Sequence, residues 1–353
     1  MSSNIKFFKS RKSLPVDKFF ETVLYDKKLG YYNSKQPIGR QGDFITAPNI
    51  SNLFSEMIAI WIVSTWELYG KPKYFNIVEL GPGDGSLARI LLNSFKRFPE
   101  FNNIKNFFLF EKSSFLRKIQ KKNINNKYTK WINNLDSIKK GPTVFFGNEF
   151  FDAIPIKQFK RKNNFLMEKY LYLNNQHKIQ ETFKKANIKD KKTIKFYKTL
   201  NNLNFIEFPK KGFQELKKIS KKISKLGGCI LLIDYGYFKS NNRNTLQSVL
   251  KHRKNFIYDN LGEADITSHV NFELLEEFFS KYNLQTKTTI QKDFLENMGI
   301  KKRAEILSKK MKFSQKSNLY LRLKRLLSPK LMGNLFKVIL ACKFEKDSYL
   351  GFK

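Results

Sequence analysis

Residues 74–85 read YFNIVELGPGDG, an apolar run that leads directly into a glycine-rich turn. The run at 74–80 predicts a buried strand, and the pattern at 86–98 predicts an amphipathic helix. Glycines between a strand and a helix let the backbone turn tightly and approach a ligand closely, at the point where a parallel sheet opens its crevice. The stretch therefore predicts a ligand-binding turn in a doubly wound α/β fold.

The spacing of the glycines separates two classes of ligand. A dinucleotide site needs G-x-G-x-x-G, which rests a pyrophosphate on the helix N-terminus. Here Gly81, Gly83 and Gly85 alternate, and the acidic Glu79 precedes them. An acid at this position repels phosphate and favours a phosphate-free cation, which is the chemistry of S-adenosylmethionine.

The pattern after residue 74 alternates short apolar runs with amphipathic segments, which is typical of βα units and a parallel sheet. Further strands are predicted at 106–110, 143–146 and 228–233, and an apolar strand at 335–342 is expected to close the sheet. We expect an N-terminal helical region with an active-site loop at 1–73, two halves of the doubly wound domain at 74–158 and 213–353, and an inserted β-rich segment at 159–212.

The chain is strongly basic, with 67 Lys and Arg residues against 30 Asp and Glu and a formal charge of +37. Such a surface attracts phosphate, but the charge is mostly Lys and is spread along the chain, whereas nucleic-acid readout gathers Arg and aromatic residues in one stretch. Nucleic-acid binding is therefore disfavoured. The two cysteines lack the spacing of a metal site, and no apolar run reaches the roughly 18 residues that a membrane span needs.

Acidic and aromatic residues after the next two strands are candidates for nucleoside contacts. Glu111 ends the strand at 106–110, where a carboxylate can accept both ribose hydroxyls of an adenosine ligand. The alternative is a solvated acid before a basic helix. Asp136 follows a predicted third strand and is a candidate contact to the adenine, whereas Trp131 suits the core equally well.

A Gly- and Pro-containing loop at residues 30–48 precedes the glycine-rich turn. It is too long for a simple turn, and loops of this kind are often functional. We expect Gly42 and Thr46 in this loop to contact the cofactor.

Residues 147–155 read GNEFFDAIP and follow an apolar strand directly. The placement of Asn148 and Glu149 is similar to that of the Asn-Pro-Pro-Tyr loop of methyltransferases that act on nitrogen. Amide and carboxylate oxygens there can hold a target N–H and orient its lone pair toward a methyl carbon. We therefore predict that Asn148, Glu149 and Asp152 act on the acceptor and that Asn148 also contacts the cofactor. The alternative is a loop that packs Phe150 and Phe151 and exposes its acids.

Residues 262–270, GEADITSHV, form a third acidic cluster. Carboxylates pair bidentately with guanidinium, so Glu263 and Asp265 are candidates to bind a substrate arginine. His269 is a candidate proton acceptor, although a lone histidine is more often structural. A helix N-cap is the competing interpretation of Asp265 and Thr267.

Taken together, these motifs resemble the MidA-like S-adenosylmethionine-dependent methyltransferases, which include a mitochondrial complex I assembly factor that methylates an arginine. The resemblance covers nearly the whole chain and rests on GYY at 30–32, GDFITAP at 42–48, ELGPGDGS at 79–86, NEFFDAIP at 148–155, DYG at 234–236 and GEADITSHV at 262–270. It implies a class I methyltransferase fold, S-adenosylmethionine as methyl donor and an arginine of a protein, such as a respiratory complex I subunit, as acceptor.

Two rival functions remain open at the level of sequence. One is a non-catalytic assembly scaffold that keeps the fold, and the other is an RNA methyltransferase, which only the charge favours. The sequence also leaves open whether the protein forms a homodimer. The short segment before the first predicted helix leads us to expect a bacterial-type cytoplasmic protein rather than one of the mitochondrial matrix.

Overall fold

The computed structural model describes residues 4–9, 11–34, 46–163, 165–343 and 349–352. Strands and helices are numbered in chain order. Buried apolar side chains form three clusters, two of them on opposite faces of a central sheet and the third beneath the N-terminal segment. None of the described helices combines the length and the apolar character that a membrane crossing requires.

The central sheet has the doubly wound arrangement that the glycine-rich stretch predicts. Its strands are Phe75–Leu80 (β2), Lys105–Phe110 (β3), Thr129–Ile132 (β4), Thr143–Asn148 (β5), Gly228–Tyr237 (β10), Val270–Asn271 (β14), Gln285–Ile290 (β15) and Phe336–Cys342 (β16). They lie in the order β15-β16-β10-β5-β2-β3-β4, with β14 paired to the end of β10. All neighbours from β4 to β10 pair in parallel, whereas β16 is antiparallel to β10 and β15.

Successive residues of each strand point to opposite faces, so the apolar strands supply both faces with core residues. Ile77 packs with helices α5 (Asn52–Leu68) and α6 (Ser86–Phe95), while its neighbour Val78 packs in the opposite cluster with α10 (Lys210–Leu226) and α11 (Phe272–Ser280). Helices therefore cover both faces of the sheet.

The apolar strand near the C-terminus, β16, was expected to close the sheet but lies inside it. It pairs with β10 on one side and with β15 on the other. The physical reason is polarity: most of β16 is buried, while every residue of the polar β15 keeps some contact with solvent. A polar strand tolerates an edge, whereas an apolar one gains from two covered sides.

A second sheet combines the inserted segment with the N-terminal region. Its strands are β1 (Ser13–Pro15), β6 (Lys157–Lys162), β7 (Phe165–Leu173), β8 (Ile179–Lys185) and β9 (Phe205–Phe208). Residues 159–212 are β-rich, as expected. The N-terminal region is not purely helical, because β1 pairs with β7. The four segment boundaries themselves stay predictions.

The remaining elements surround these two sheets. A third, small sheet contains β11 (Gln247–Leu250), β12 (Arg253–Asn255) and β13 (Asp265–Thr267). The other helices are Ile5–Phe8 (α1), Val16–Tyr25 (α2), Tyr31–Ser34 (α3), Ala47–Ile50 (α4), Pro99–Ile104 (α7), Ser114–Ile124 (α8), Ile188–Phe196 (α9), Gln291–Asn297 (α12), Ile300–Ser308 (α13), Phe313–Leu327 (α14) and Met332–Leu335 (α15), with a 3-10 turn at Lys198–Leu200.

The strand order reverses at β2. The chain runs outward from β2 to β3 and β4, and then returns to place β5 on the other side of β2. In open α/β sheets, ligands bind outside the carboxyl ends of the strands at such a switch point. The ends of β2, β3 and β5 therefore mark where a site is expected.

Candidate active site

A cavity of about 600 Å³ lies at the carboxyl ends of β2, β3 and β5. Its described lining is rich in acidic side chains: Glu21, Glu79, Asp84, Glu111, Glu149, Asp152, Glu215 and Asp265. Lys112 and Lys211 also line it, and each pairs with one of these acids, Lys112 with Glu215 and Lys211 with Glu21. The described lining thus has an excess of acidic side chains, although the protein as a whole is strongly basic.

Glu79 stands in the centre of the sheet, near the end of β2. Its side chain is 2% exposed, and Oε2 has no hydrogen-bond partner among the described residues. Burial, with a smaller contribution from the nearby charge of Asp84, raises the pKa of Glu79 to about 8. A buried carboxylate without a partner is costly, so this group is suited to receive a cation from the cavity.

The glycine-rich turn is shaped by close contacts that only glycine permits. Gly81 has a φ of +62°, and a Cβ atom there would lie 2.8 Å from Cδ2 of Phe150. Gly83 and Gly85 also adopt positive φ angles. Gly81 and Gly83 line the cavity, whereas Gly85 is the N-cap of α6 and lies next to Ile124. At Gly81 and Gly83 the turn thus brings backbone, not side chains, to the cavity wall.

Glu111 follows β3 and is held by two donors. Its Oε1 accepts the backbone N–H of Ser113 at 2.7 Å, and its Oε2 accepts Nε2 of Gln120 at 3.1 Å. Burial raises the pKa of Glu111 above its ordinary value, although these hydrogen bonds oppose the shift. The carboxylate is therefore fixed in orientation at the cavity wall.

Gln120 is a residue that the sequence did not single out. Its Nε2 also donates to the carbonyl of Gly83 at 2.8 Å, and its Oε1 accepts Nε1 of Trp131 at 2.9 Å. One buried amide thereby ties Glu111 to the glycine-rich turn. Trp131 is partly buried and packs against the hydrophobic core, which is the position that the sequence analysis considered equally suitable for it.

Asn148 and Glu149 lie together at the end of β5. Asn148 Nδ2 donates to Glu149 Oε1 at 3.1 Å, while Asn148 Oδ1 is buried without a partner among the described residues. Glu149 has a φ of +52°, an unfavourable conformation for a glutamate. Burial, reinforced by the charge of Asp152, raises the pKa of Glu149 to about 8. Both side chains line the cavity.

Asp234, in the C-terminal half of β10, anchors the loop that follows Glu149. Its Oδ2 accepts the backbone N–H groups of Phe151 at 2.8 Å and Asp152 at 3.2 Å. Burial raises the pKa values of both Asp152 and Asp234. The Asp152 carbonyl in turn accepts the N–H of Ser268 at 3.0 Å. Through these bonds the strand β10 holds two predicted acidic clusters in one place.

Asp265 is the member of the third cluster that reaches the cavity. It is buried at the start of β13, and the hydroxyl of Tyr32 donates to its carboxylate. Thr46 also lines the cavity, and its hydroxyl accepts Asn49 Nδ2.

Other predicted site residues are not brought to this cavity. Asp136 and Glu263 are exposed on the surface and are not part of the described lining. His269 packs edge-on against Tyr235 and lines a separate space of about 20 Å³. Burial lowers the pKa of His269, and the charges of Arg243 and Lys337 act in the same direction. Gly42 lies outside the described residues.

The geometry fits S-adenosylmethionine. This ligand carries a sulfonium and an ammonium group and no phosphate, and the cavity offers acidic side chains where a dinucleotide site offers phosphate-binding groups. Oε2 of Glu79 has no hydrogen-bond partner among the described residues, so it can bind a cationic group of the ligand. Glu111 follows β3, the strand that pairs with β2. No cluster of metal-binding side chains is found in the part of the chain that the structure describes.

Residues 57–290 match the model of a family of S-adenosyl-L-methionine-dependent methyltransferases. The chain belongs to this methyltransferase family. The resemblance inferred from the motifs is thereby confirmed, and so is the methyl donor.

Relatives and solved structures agree with this assignment. The chain is 25% identical over 347 residues to a zebrafish (Danio rerio) protein named protein arginine methyltransferase NDUFAF7, mitochondrial, covering 92% of this chain and 82% of the relative. It is 28% identical to the human (Homo sapiens) protein of the same name, covering 93% and 80%. A crystal structure from Burkholderia thailandensis, bound to S-adenosyl-homocysteine, superposes with a TM-score of 0.80 at 21% identity, covering 100% of this chain and 92% of that one. This last likeness establishes the fold.

One expectation from the sequence is wrong. A bacterial-type cytoplasmic location was favoured, yet the named relatives from zebrafish, fruit fly (Drosophila melanogaster) and human are mitochondrial proteins. The length of chain before the first helix was therefore no guide to the compartment.

Proposed function

We propose that this methyltransferase modifies a guanidinium nitrogen of an arginine side chain in a protein. The observation that supports the proposal is the acidic cavity. Its described lining contains eight acidic side chains and two lysines, and each lysine forms an ion pair with one of the acids. Acidic side chains interact favourably with a cationic acceptor and with a cationic methyl donor. The names of the zebrafish and human relatives support the same acceptor.

The donor half of the cavity is assigned to Glu79, Gly81, Gly83 and Glu111. Glu79 would receive the ammonium group, since its Oε2 is buried and unpartnered among the described residues. Glu111, fixed by Ser113 and Gln120, would accept the ribose hydroxyls. The glycines leave room for the ligand to approach the backbone.

The acceptor half is assigned to Asn148, Glu149, Asp152 and Asp265. They line the same cavity, Asn148 from the end of β5, Glu149 and Asp152 from the loop after it, and Asp265 from the start of β13. A planar guanidinium presents five N–H donors, which suits several oxygens placed around it. The predicted participation of His269 and Asp136 gains no support, because neither side chain is among the described lining of the cavity.

The reaction requires a nitrogen lone pair and a place for the proton that leaves. S-adenosylmethionine, when bound, would supply a methyl group on a positively charged sulfur. The arginine nitrogen would form a bond to the methyl carbon as the carbon–sulfur bond breaks, and the sulfur would leave as a neutral thioether. Asn148 and Glu149 hold the acceptor N–H groups and so orient the nitrogen toward the donor half. Glu149 accepts the proton, since a carboxylate with a pKa of about 8 is matched to neutral pH.

The proposal is tested with purified protein, labelled S-adenosylmethionine and a protein extract from cells that lack this chain. Hydrolysis of the labelled proteins is expected to release methylarginine. Glu149→Gln should lower the rate by roughly a hundredfold or more while leaving S-adenosyl-homocysteine affinity nearly unchanged. The matched control Glu305→Gln, on the exposed face of α13, should keep full activity. Label found on lysine, on RNA or on no macromolecule would overturn the proposal.

A further inference from the structure

Tyr32 contacts an acidic residue of the cavity directly, although the motif that contains it has so far had no role. Its hydroxyl donates to the carboxylate of Asp265, with distances of 3.0 Å to Oδ1 and 3.1 Å to Oδ2. Both residues line the cavity. Its neighbour Tyr31 is fully buried in the N-terminal core instead. The two tyrosines of the motif therefore divide between packing and the site.

Two glycines allow this contact by bringing distant segments together. A Cβ on Gly30 would lie 2.4 Å from the backbone nitrogen of Asp26, so only glycine fits the turn that leads into Tyr32. Gly262 has a φ of +75°, and a Cβ there would lie 2.3 Å from the carbonyl oxygen of Leu29. The segment that carries Asp265 thus rests against the turn that carries Tyr32.

Tyr32 is also held from two other directions. The hydroxyl of Ser113 donates to the Tyr32 carbonyl at 2.9 Å, which fixes the backbone. The ring stacks on Tyr25, with centroids 5.3 Å apart and an angle of 26° between the planes. Tyr25 donates its own hydroxyl to the carbonyl of Ala153 at 2.9 Å, next to Asp152. The phenol of Tyr32 therefore has a fixed position from which it orients the Asp265 carboxylate, whose Oδ1 also accepts the backbone N–H of Ile266 at 2.8 Å.

Burial and the neighbouring Asp265 raise the pKa of Tyr32 well above its ordinary value. The hydroxyl consequently keeps its proton at neutral pH and remains a donor to the carboxylate.

We propose that Tyr32 is a positioning residue, which fixes the orientation of the Asp265 carboxylate and thereby makes the cavity prefer a planar guanidinium to a compact ammonium group. The inference rests on the proposed function in one respect, the assignment of Asp265 to the acceptor. A bidentate contact with guanidinium depends on how the carboxylate is turned. An ammonium group interacts as a point charge and depends much less on that orientation.

The test compares two small cations as probes, methylguanidinium and methylammonium, in titrations of the S-adenosyl-homocysteine complex followed by NMR. Wild-type protein should bind methylguanidinium more tightly. Tyr32→Phe should weaken methylguanidinium binding by roughly tenfold and methylammonium binding by less than about twofold, since one charge-assisted hydrogen bond is lost. The affinity for S-adenosyl-homocysteine should stay within about twofold, because Tyr32 contributes no described hydrogen bond to Glu79 or Glu111.

Tyr258→Phe is the matched control. It removes a tyrosine hydroxyl that donates to a carboxylate outside the described cavity lining, Glu181, and leaves the bond from Tyr32 to Asp265 in place, so the preference for methylguanidinium should persist. Equal weakening of both cations in Tyr32→Phe would indicate a structural role and overturn the inference. So would an unchanged preference, or a wild-type protein that does not prefer methylguanidinium.

The two proposals fail in different ways. A Tyr32-dependent preference for methylguanidinium without any methylarginine among the labelled proteins would overturn the proposed function and leave the inference standing. Methylarginine formation with a cation preference that Tyr32→Phe does not change would do the reverse.

Discussion

Glu79 is a residue at which the needs of folding and of ligand binding oppose each other. In the unfolded chain its carboxyl ionises near the ordinary value of 4.5, whereas burial raises the folded-state pKa to about 8. Between these two values the folded state binds more protons than the unfolded state. The free energy of unfolding contributed by this group is therefore greatest below pH 4.5 and falls as the pH rises toward 8.

Glu79→Gln should remove this pH dependence, because the amide resembles the protonated acid. We expect the stability of the variant relative to wild type to rise by about 3 kcal/mol between pH 5 and pH 8. Urea unfolding of the ligand-free proteins across this range measures the difference. The exposed Glu67→Gln serves as control and should follow wild type at every pH. A relative stability that does not change with pH would contradict the assigned burial of the charge.

The position of individual residues at the cavity could be predicted where they stand at the end of a strand. Glu79, Glu111, Asn148 and Glu149 follow apolar runs, and parallel strands bring their carboxyl ends to one edge. Gln120 was missed because its contacts depend on how α8 is rotated, and a basic helix gives no sign of that in its sequence. Asp136, a predicted adenine contact, lies beyond the end of β4 in an exposed turn and outside the described cavity lining.

The turn between β2 and α6 combines two constraints that can be separated. Gly81 has a positive φ, and a Cβ atom added to it would also meet the ring of Phe150 at 2.8 Å. Gly70 has a φ of +80°, but a Cβ atom added there would have no neighbour within 4 Å. Gly70→Ala therefore meets only the cost of the backbone conformation, while Gly81→Ala also meets a steric clash.

We expect Gly70→Ala to lower the free energy of unfolding by about 1 kcal/mol and Gly81→Ala by about 2 kcal/mol or more. Only Gly81→Ala should also weaken S-adenosyl-homocysteine binding, because the displaced backbone lines the cavity. Denaturant unfolding and calorimetric titration of both variants provide the measurements. Equal losses of stability, or unchanged ligand affinity in Gly81→Ala, would show that the turn adapts without strain.

At the level of elements, the sequence predicted the central strands with continuous apolar runs and missed strands such as β15 and β1 that lack them. β2, β3, β5, β10 and β16 were all predicted within a few residues. β15 was missed because its polar sequence, QTKTTI, suits an edge strand and lacks a hydrophobic run. β1 was missed because three residues ending in proline give no periodicity, and only its pairing with β7 defines it.

The whole molecule separates its charges, with lysines on the outside and carboxylates at the cavity. The formal charge is +37, yet the cavity lining is dominated by acids, of which Glu79, Glu111, Asp152 and Asp265 are buried. Charges on the surface are screened by salt, with a Debye length of about 10 Å at 0.1 M, whereas buried charges are screened much less. Binding to the surface lysines should therefore depend more strongly on ionic strength than binding to the buried carboxylates of the cavity.

Raising sodium chloride from about 50 mM to about 500 mM should weaken any binding of an RNA oligonucleotide by roughly a hundredfold or more, since surface lysines contact phosphates and release counterions. The same change should alter the affinity for S-adenosyl-homocysteine by less than about threefold, because that ligand meets the enclosed carboxylates. Parallel titrations with both ligands measure the two slopes. If S-adenosyl-homocysteine binding weakened as steeply as RNA binding, the surface lysines rather than the acidic cavity would govern recognition of the donor.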